Sequence, residues 1–195
     1  MHTLCVFCGS SRGTRPEYAE MAQALGREMA ARGLELVYGG SSIGMMGTLA
    51  DAVLAAGGEV TGVLPRGLFR REVAHTGLTR LREVGSMHER KLLMIELADG
   101  FIALPGGFGT YDELFEVVTW AQIGLHQKPI GLLDVCGFFA PLLAMVAHAA
   151  EEGFLPTEHR NLLLREETPT AMLDRLQSYT PPAMPDKWAD LLPRP

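Results

Sequence analysis

The sequence predicts an α/β protein, a doubly wound parallel sheet with helices on both faces. Two patterns carry that reading. Short apolar runs at 3–8, 34–38, 59–64, 100–104 and 129–133 have the length of buried strands. Segments with helical spacing lie between them, at about 16–32, 44–56, 87–98 and 111–124, with 138–150 after the last. Strands alternating with longer helices imply βαβ units and a parallel sheet. The second pattern is glycine, clustered after three of the strands on the edge where open α/β sheets bind ligands. At 195 residues the chain suits one domain, taken as 1–179, followed by a tail over 180–195 that carries five prolines.

The elements follow in order. Leu4-Cys5-Val6-Phe7 is apolar on both faces, as a central strand must be. Pro16 suits the first turn of the next helix and Gly33 its stop. Leu36-Val37-Tyr38 gives the second strand, and Gly57-Gly58 ends the helix after it. The stretch from Arg66 to Arg82 is the least regular, with five arginines beside Glu72, His75 and Glu83. It reads either as a loop or hairpin over a cleft or as a solvated loop. Ser86-Met87-His88-Glu89-Arg90-Lys91 opens the third helix, and Phe101 to Leu104 forms the strand it feeds. In the tail, Trp188 is a candidate for docking back onto the domain.

Composition narrows the function classes. Hydrophobic residues make up 47% and charged residues 21%, ordinary for a globular protein. A net charge of −6 argues against general nucleic-acid binding, which needs a basic surface. No apolar run approaches the roughly 20 residues needed to span a bilayer. A strand begins almost at the first residue, so the expected setting is cytoplasmic, with no membrane partner. Cys5, Cys8 and Cys136 are an odd set; Cys5-x-x-Cys8 could be a redox pair or half of a zinc site, but no second Cys/His pair has ligand spacing, and Cys5 and Cys8 read as small buried hydrophobes. His88, His126 and His148 have no metal-ligand spacing either, so no metal is expected.

Three glycine-rich turns would gather at one edge: Cys8–Gly13, Gly39–Gly47 and Pro105–Thr110. None fits a dinucleotide fingerprint or a P-loop. The third is the most informative. Gly106, Gly107 and Gly109 let backbone approach a ligand, and the helix start beyond them suits a phosphate. Glu113 follows Thr110 by three residues. It could be the far half of a capping box, or a carboxylate at the rim of a phosphate seat. A carboxylate beside phosphate calls for a cation, and Arg90 and Lys91 supply one. Adjacent on a helix, they would address different parts of one ligand. The alternative is a solvated helix face partnered by Glu89 and Glu96.

These residues resemble a known family. Pro105-Gly106-Gly107-Phe108-Gly109-Thr110-Tyr111-Asp112-Glu113 is similar to the PGGxGTxxE signature of the LONELY GUY proteins, and Met87-His88-Glu89-Arg90-Lys91 to their MHxRK signature. Val6–Ser11, Leu36–Gly40, Arg71-Glu72 and Thr119-Trp120-Ala121-Gln122 extend the match over roughly 3–150. The resemblance implies a Rossmann-like fold and a homodimer with composite active sites. It implies cleavage of the N-glycosidic bond of an N6-modified adenosine 5′-monophosphate, giving free base and ribose 5-phosphate without a cofactor. By motif position, Arg90 and Glu113 match the catalytic pair. Glu72, Lys91, Gly107, Phe108, Gly109, Thr110 and Thr119 match substrate-binding positions. Two alternatives stay open: a general AMP nucleosidase, and a nucleotide carrier without turnover. The label lysine decarboxylase, often given to this family, finds little support, because only Lys91, Lys128 and Lys187 could form a Schiff base. One departure stands out. Ser41 occupies a position where the family usually has glycine, and a positive φ there would strain it.

Overall fold

A computed structural model describes residues 1–67 and 74–182. Seven parallel strands form one sheet: β1 (Thr3–Phe7), β2 (Glu35–Tyr38), β3 (Val60–Pro65), β4 (Arg80–Val84), β5 (Gly100–Ala103), β6 (Ile130–Leu133) and β7 (Leu163–Glu166). Six α-helices connect and follow them: α1 (Pro16–Ala31), α2 (Gly44–Ala55), α3 (Met87–Leu97), α4 (Phe108–Gln122), α5 (Ala140–Glu151) and α6 (Pro169–Gln177). A 3₁₀ turn, Thr157–Leu162, precedes β7. The doubly wound α/β class expected from the sequence is the one observed.

The strand order is β4-β3-β2-β1-β5-β6-β7. The chain winds outward one way from β1 through β4, then returns to pair β5 on the other side of β1. Leu4 stands beside Leu36 on one flank and Gly100 on the other. That reversal makes the β1/β5 boundary the topological switch point, where the loops diverge and leave a crevice. Leu25, Met29 and Leu49 from α1 and α2, with Met172 and Leu176 from α6, pack one sheet face. Met94 from α3, Leu114 and Val117 from α4, and Phe139 at the N-cap of α5 pack the other. Both faces are covered, which is why β1, β3, β5 and β6 are apolar almost throughout.

Four features depart from the expectations. The strand β4 lies inside what reads as the irregular arginine-rich stretch. As an edge strand it is largely exposed, so its Arg80-Leu81-Arg82-Glu83 pattern lacks an apolar signal. Beyond 150, β7 and α6 were not anticipated, because β7 is a short edge strand ending in Arg165-Glu166. The fourth helix starts at Phe108 rather than 111. Ser41 is unstrained: among the described residues only Cys136 is a non-glycine with positive φ, and Gly40 takes that role beside Ser41 instead. The Ser41 hydroxyl accepts from the Ile43 amide at 3.3 Å. Trp188 and the tail from 183 onward lie outside the described residues.

Candidate active site

The cleft opens at the switch point. It is a pocket of about 200 Å³ lined by Cys8, Gly9 and Ser10 from the loop after β1, and by Met46 of α2 and Arg90 of α3. The remaining lining is Gly107, Phe108, Gly109, Thr110 and Glu113 at the start of α4. The loops after β1 and β5 are pinned together by the Gly9 amide, which donates to Pro105 O at 3.1 Å. Their contact is tight enough that a β-carbon on Gly106 would overlap the Thr110 hydroxyl and come within 2.9 Å of the Gly9 nitrogen.

The start of α4 shows what backbone the glycine loop presents to the cleft. Gly107 is the N-cap residue, and no side chain caps the helix. The amides of Phe108, Gly109 and Thr110 therefore begin a helix without intrahelical acceptors, at the positive end of its dipole. By contrast, Ser86 caps α3 by accepting from the Glu89 amide at 3.1 Å, and Glu89 reaches back to the Gly85 amide at 2.7 Å. The capping arrangement considered for Thr110 and Glu113 is thus absent there and present at Ser86 and Glu89. With the helix starting at Phe108, Glu113 lies about one and a half turns in and lines the cleft.

Arg90 is not on a solvated face. It is 7% exposed, and its Nε donates to Val63 O at 3.1 Å while Nη2 donates to Gly39 O at 2.9 Å. Nη1 lies 3.8 Å from Met87 Sδ. The carbonyls of Gly39, just past β2, and Val63, within β3, therefore hold the guanidinium. Among the described residues, no acidic oxygen forms an ion pair with it.

Glu113 is partly exposed at the cleft wall. Desolvation by its surroundings raises its pKa from 4.5 to about 7, against the pull of the Arg90 charge. Asp112 and Glu116 push it up further, and Lys91 draws it down. Burial also pushes the Cys8 thiol up, helped by the Glu113 charge and opposed by Arg90. Cys8 therefore stays protonated and serves as a small wall residue.

Not every expected site residue converges. Arg90, Gly107, Phe108, Gly109, Thr110 and Glu113 line the one cleft. Lys91 points instead at α4, with its Nζ 3.1 Å from Asp112 Oδ2 and 3.1 Å from Glu116 Oε2. Burial would lower its pKa, but these two hydrogen-bonded carboxylates outweigh that and hold it above the usual value. Thr119 is exposed and donates to Phe115 O at 2.6 Å. It lies eleven residues past Phe108, about 16 Å along the helix axis, too far to touch the same phosphate. Glu72 falls outside the described residues. Sequence reasoning missed Met46, whose apolar character marks core, and it did not single out Ser10 within its glycine-rich turn. Among the described residues there is no group of three or more His, Cys, Asp or Glu side chains suited to a metal ion. No described helix is long and apolar enough to cross a membrane.

Comparison with known proteins agrees with this geometry. The family model described as possible lysine decarboxylase matches residues 46–176. A rice (Oryza sativa subsp. japonica) protein described as a probable cytokinin riboside 5′-monophosphate phosphoribohydrolase is 48% identical, over 91% of this chain and 78% of its own length. The Arabidopsis thaliana cytokinin riboside 5′-monophosphate phosphoribohydrolase LOG4 is 46% identical, over 91% of this chain and 83% of its own. Among solved structures, the molybdenum cofactor carrier protein of Chlamydomonas reinhardtii superposes with a TM-score of 0.69 at 20% identity, covering 91% of this chain and 98% of that one. The molybdenum cofactor binding protein of Rippkaea orientalis gives 0.68 at 22%, covering 91% and 96%. At those identities the two structures share the fold.

Proposed function

The chain belongs to the family of cytokinin riboside 5′-monophosphate phosphoribohydrolases, and from that premise we propose its reaction and the residues that run it. Water cleaves the N-glycosidic bond of an N6-modified adenosine 5′-monophosphate, releasing the free base and ribose 5-phosphate. Arg90 and Glu113 are the catalytic pair. The observation that carries this reading is their convergence on a cleft at the uncapped start of α4.

Each part has a physical role. The amides of Phe108, Gly109 and Thr110 seat the 5′-phosphate, and that remote binding energy positions the ribose. Loss of the base leaves an oxocarbenium-like sugar, as in glycoside hydrolysis. The Glu113 carboxylate faces the growing positive charge and takes a proton from the attacking water as its oxygen bonds to C1′. The electron pair of the C1′–N bond leaves with the base. The proton the base takes up balances the one lost by water. Arg90 secures the substrate and assists the departure. A decarboxylase using a Schiff-base lysine finds no support in the cleft, where neither described lysine is part of the lining.

The remaining expected contacts fit a homodimer. Leu92, Ile123, Leu125, Met145 and Phe154 are large apolar residues exposed on the α3–α5 side, which supports a second copy covering that face. A cleft of about 200 Å³ is smaller than the roughly 300–1,000 Å³ of usual ligand sites, so a second wall is needed to enclose a nucleotide. Thr119, remote from its own cleft, would then serve the partner's. Lys91 would bind substrate by exchanging one of its carboxylate partners for the ligand, and Glu72 completes the substrate-binding set. In the same reading the enzyme works in the cytoplasm, where thiols such as Cys5 and Cys8 stay reduced. Release of free base from AMP and from isopentenyladenosine monophosphate, measured side by side, tests the substrate. Faster release from the modified nucleotide supports the reading, equal rates favour a general AMP nucleosidase, and no release from either favours a carrier.

A further inference from the structure

We infer that Gly39, just past the end of β2, is a positioning residue for this hydrolysis, because its missing side chain is what lets the Arg90 guanidinium lie across the floor of the cleft. The inference rests on the proposed catalytic role of Arg90. Its support is steric. A β-carbon on Gly39 would overlap Arg90 Nη2, come within 2.9 Å of Cζ, and come within 3.1 Å of Met46 Sδ. The guanidinium therefore rests against the Gly39 backbone, with Met46 beside it.

Backbone conformation is not the reason for glycine here. Gly40, the next residue, has φ 79, whereas Gly39 is outside the positive-φ set and any residue could adopt its conformation. Space is the reason. Gly39 also supplies the carbonyl that accepts from Nη2 at 2.9 Å, so one residue both admits the guanidinium and anchors it. Val63 O holds Nε from the next strand, so the guanidinium is fixed at two points. An added methyl would force the guanidinium off both carbonyls while leaving the helix that carries Arg90 in place. Misplacing a catalytic group by about 1 Å is enough to lower turnover roughly a hundredfold.

The test uses Gly39→Ala, Arg90→Ala and the double variant in the full-length protein, with kcat, KM, pH profile and thermal unfolding measured for each. Gly39→Ala should lower kcat about a hundredfold, by a much larger factor than it changes KM. It should also move the acid limb of the pH profile upward. That limb reports Glu113, and Arg90 is the cation it loses. The other groups facing Glu113 are unchanged: Lys91 on α3, Asp112 and Glu116 on α4, the Cys5 thiol on β1 and the Cys8 thiol just after it. With Arg90 already truncated, the overlap is gone and only the 3.1 Å approach to the flexible Met46 side chain remains, which a shift of a few tenths of an ångström relieves. In that background Gly39→Ala should change residual kcat less than twofold and leave the melting temperature close to that of Arg90→Ala. If Gly39→Ala alone fails to fold, the double variant should fold. The inference is overturned if Gly39→Ala keeps kcat within twofold with an unmoved acid limb. It is also overturned if the methyl costs the same factor with or without Arg90, or if the double variant fails to fold. Full activity in Arg90→Ala would instead remove the catalytic reading of Arg90 on which the inference stands.

Discussion

Replacing Glu113 with glutamine should make the protein more stable above neutral pH and leave it inactive. The carboxyl is held in surroundings that favour its protonated form, with a pKa raised from 4.5 to about 7. A group whose folded pKa is raised contributes its stability fully below the unfolded value, near 4.5 here. That contribution is lost as pH rises through 7. At ~1.4 kcal/mol per pH unit, ionising Glu113 costs the folded protein about 3 kcal/mol by pH 8. Glutamine mimics the protonated acid and carries no such penalty. The two proteins should therefore match near pH 4 and diverge from pH 5 upward, the variant melting roughly 6–12 °C higher at pH 8. Thermal or urea unfolding of both proteins from pH 4 to 9 reads the difference directly, because every other titrating group is common to both. A difference that stays flat with pH, or a wild type more stable than the variant at pH 8, would refute the placement of Glu113 in a desolvated cleft.

Four further outcomes follow from the same geometry. The kcat/KM of the wild type should rise with pH through an apparent pKa near 7, as Glu113 becomes the carboxylate that faces the sugar. Lys91→Gln should move that limb to higher pH, since Lys91 lowers the Glu113 pKa while Asp112 and Glu116 would remain to raise it; an unmoved limb counts against this network. Gly106→Ala should weaken nucleotide monophosphate binding at least about tenfold, by forcing Thr110 away from the loop, and leave binding of the phosphate-free nucleoside nearly unchanged in titration calorimetry. Ile123→Glu with Leu125→Glu, which place charge on the exposed apolar face, should give a monomer in light scattering with little loss of helix content.

The sheet was legible because its central strands are buried on both faces and so read as unbroken apolar runs. Edge strands lack that constraint. Arg80–Val84 is largely exposed, so its composition follows charge and solubility rather than packing, and in Leu163–Glu166 only Leu163 and Leu164 are buried, a run too short to announce a strand. The start of α4 was misplaced for a related reason. Glycine-rich sequence reads as loop, yet Phe108 and Gly109 already belong to the helix, whose start carries no side-chain cap. At the site, the motifs pointed to Arg90 and Glu113, but not to how each is held. That Arg90 is buried against the carbonyls of Gly39 and Val63 depends on residues 51 and 27 positions away in the chain. Lys91 shows the converse. Its adjacency to Arg90 suggested a shared ligand, whereas the 100° turn between them aims it at the carboxylates of α4. Met46 was invisible because a methionine lining a cleft looks like one lining a core.

In the proposed reaction Arg90 and Glu113 form a hydrolytic pair over a phosphate seat. Single-turnover assays with isopentenyladenosine monophosphate, following free base and ribose 5-phosphate together in the wild type, Glu113→Gln and Arg90→Ala, put that pair to the test. The wild type should release both products in equal molar amounts. Each variant should release them at least about a hundredfold more slowly, with Glu113→Gln still binding the nucleotide. Release by Glu113→Gln at the wild-type rate would remove Glu113 from the chemistry.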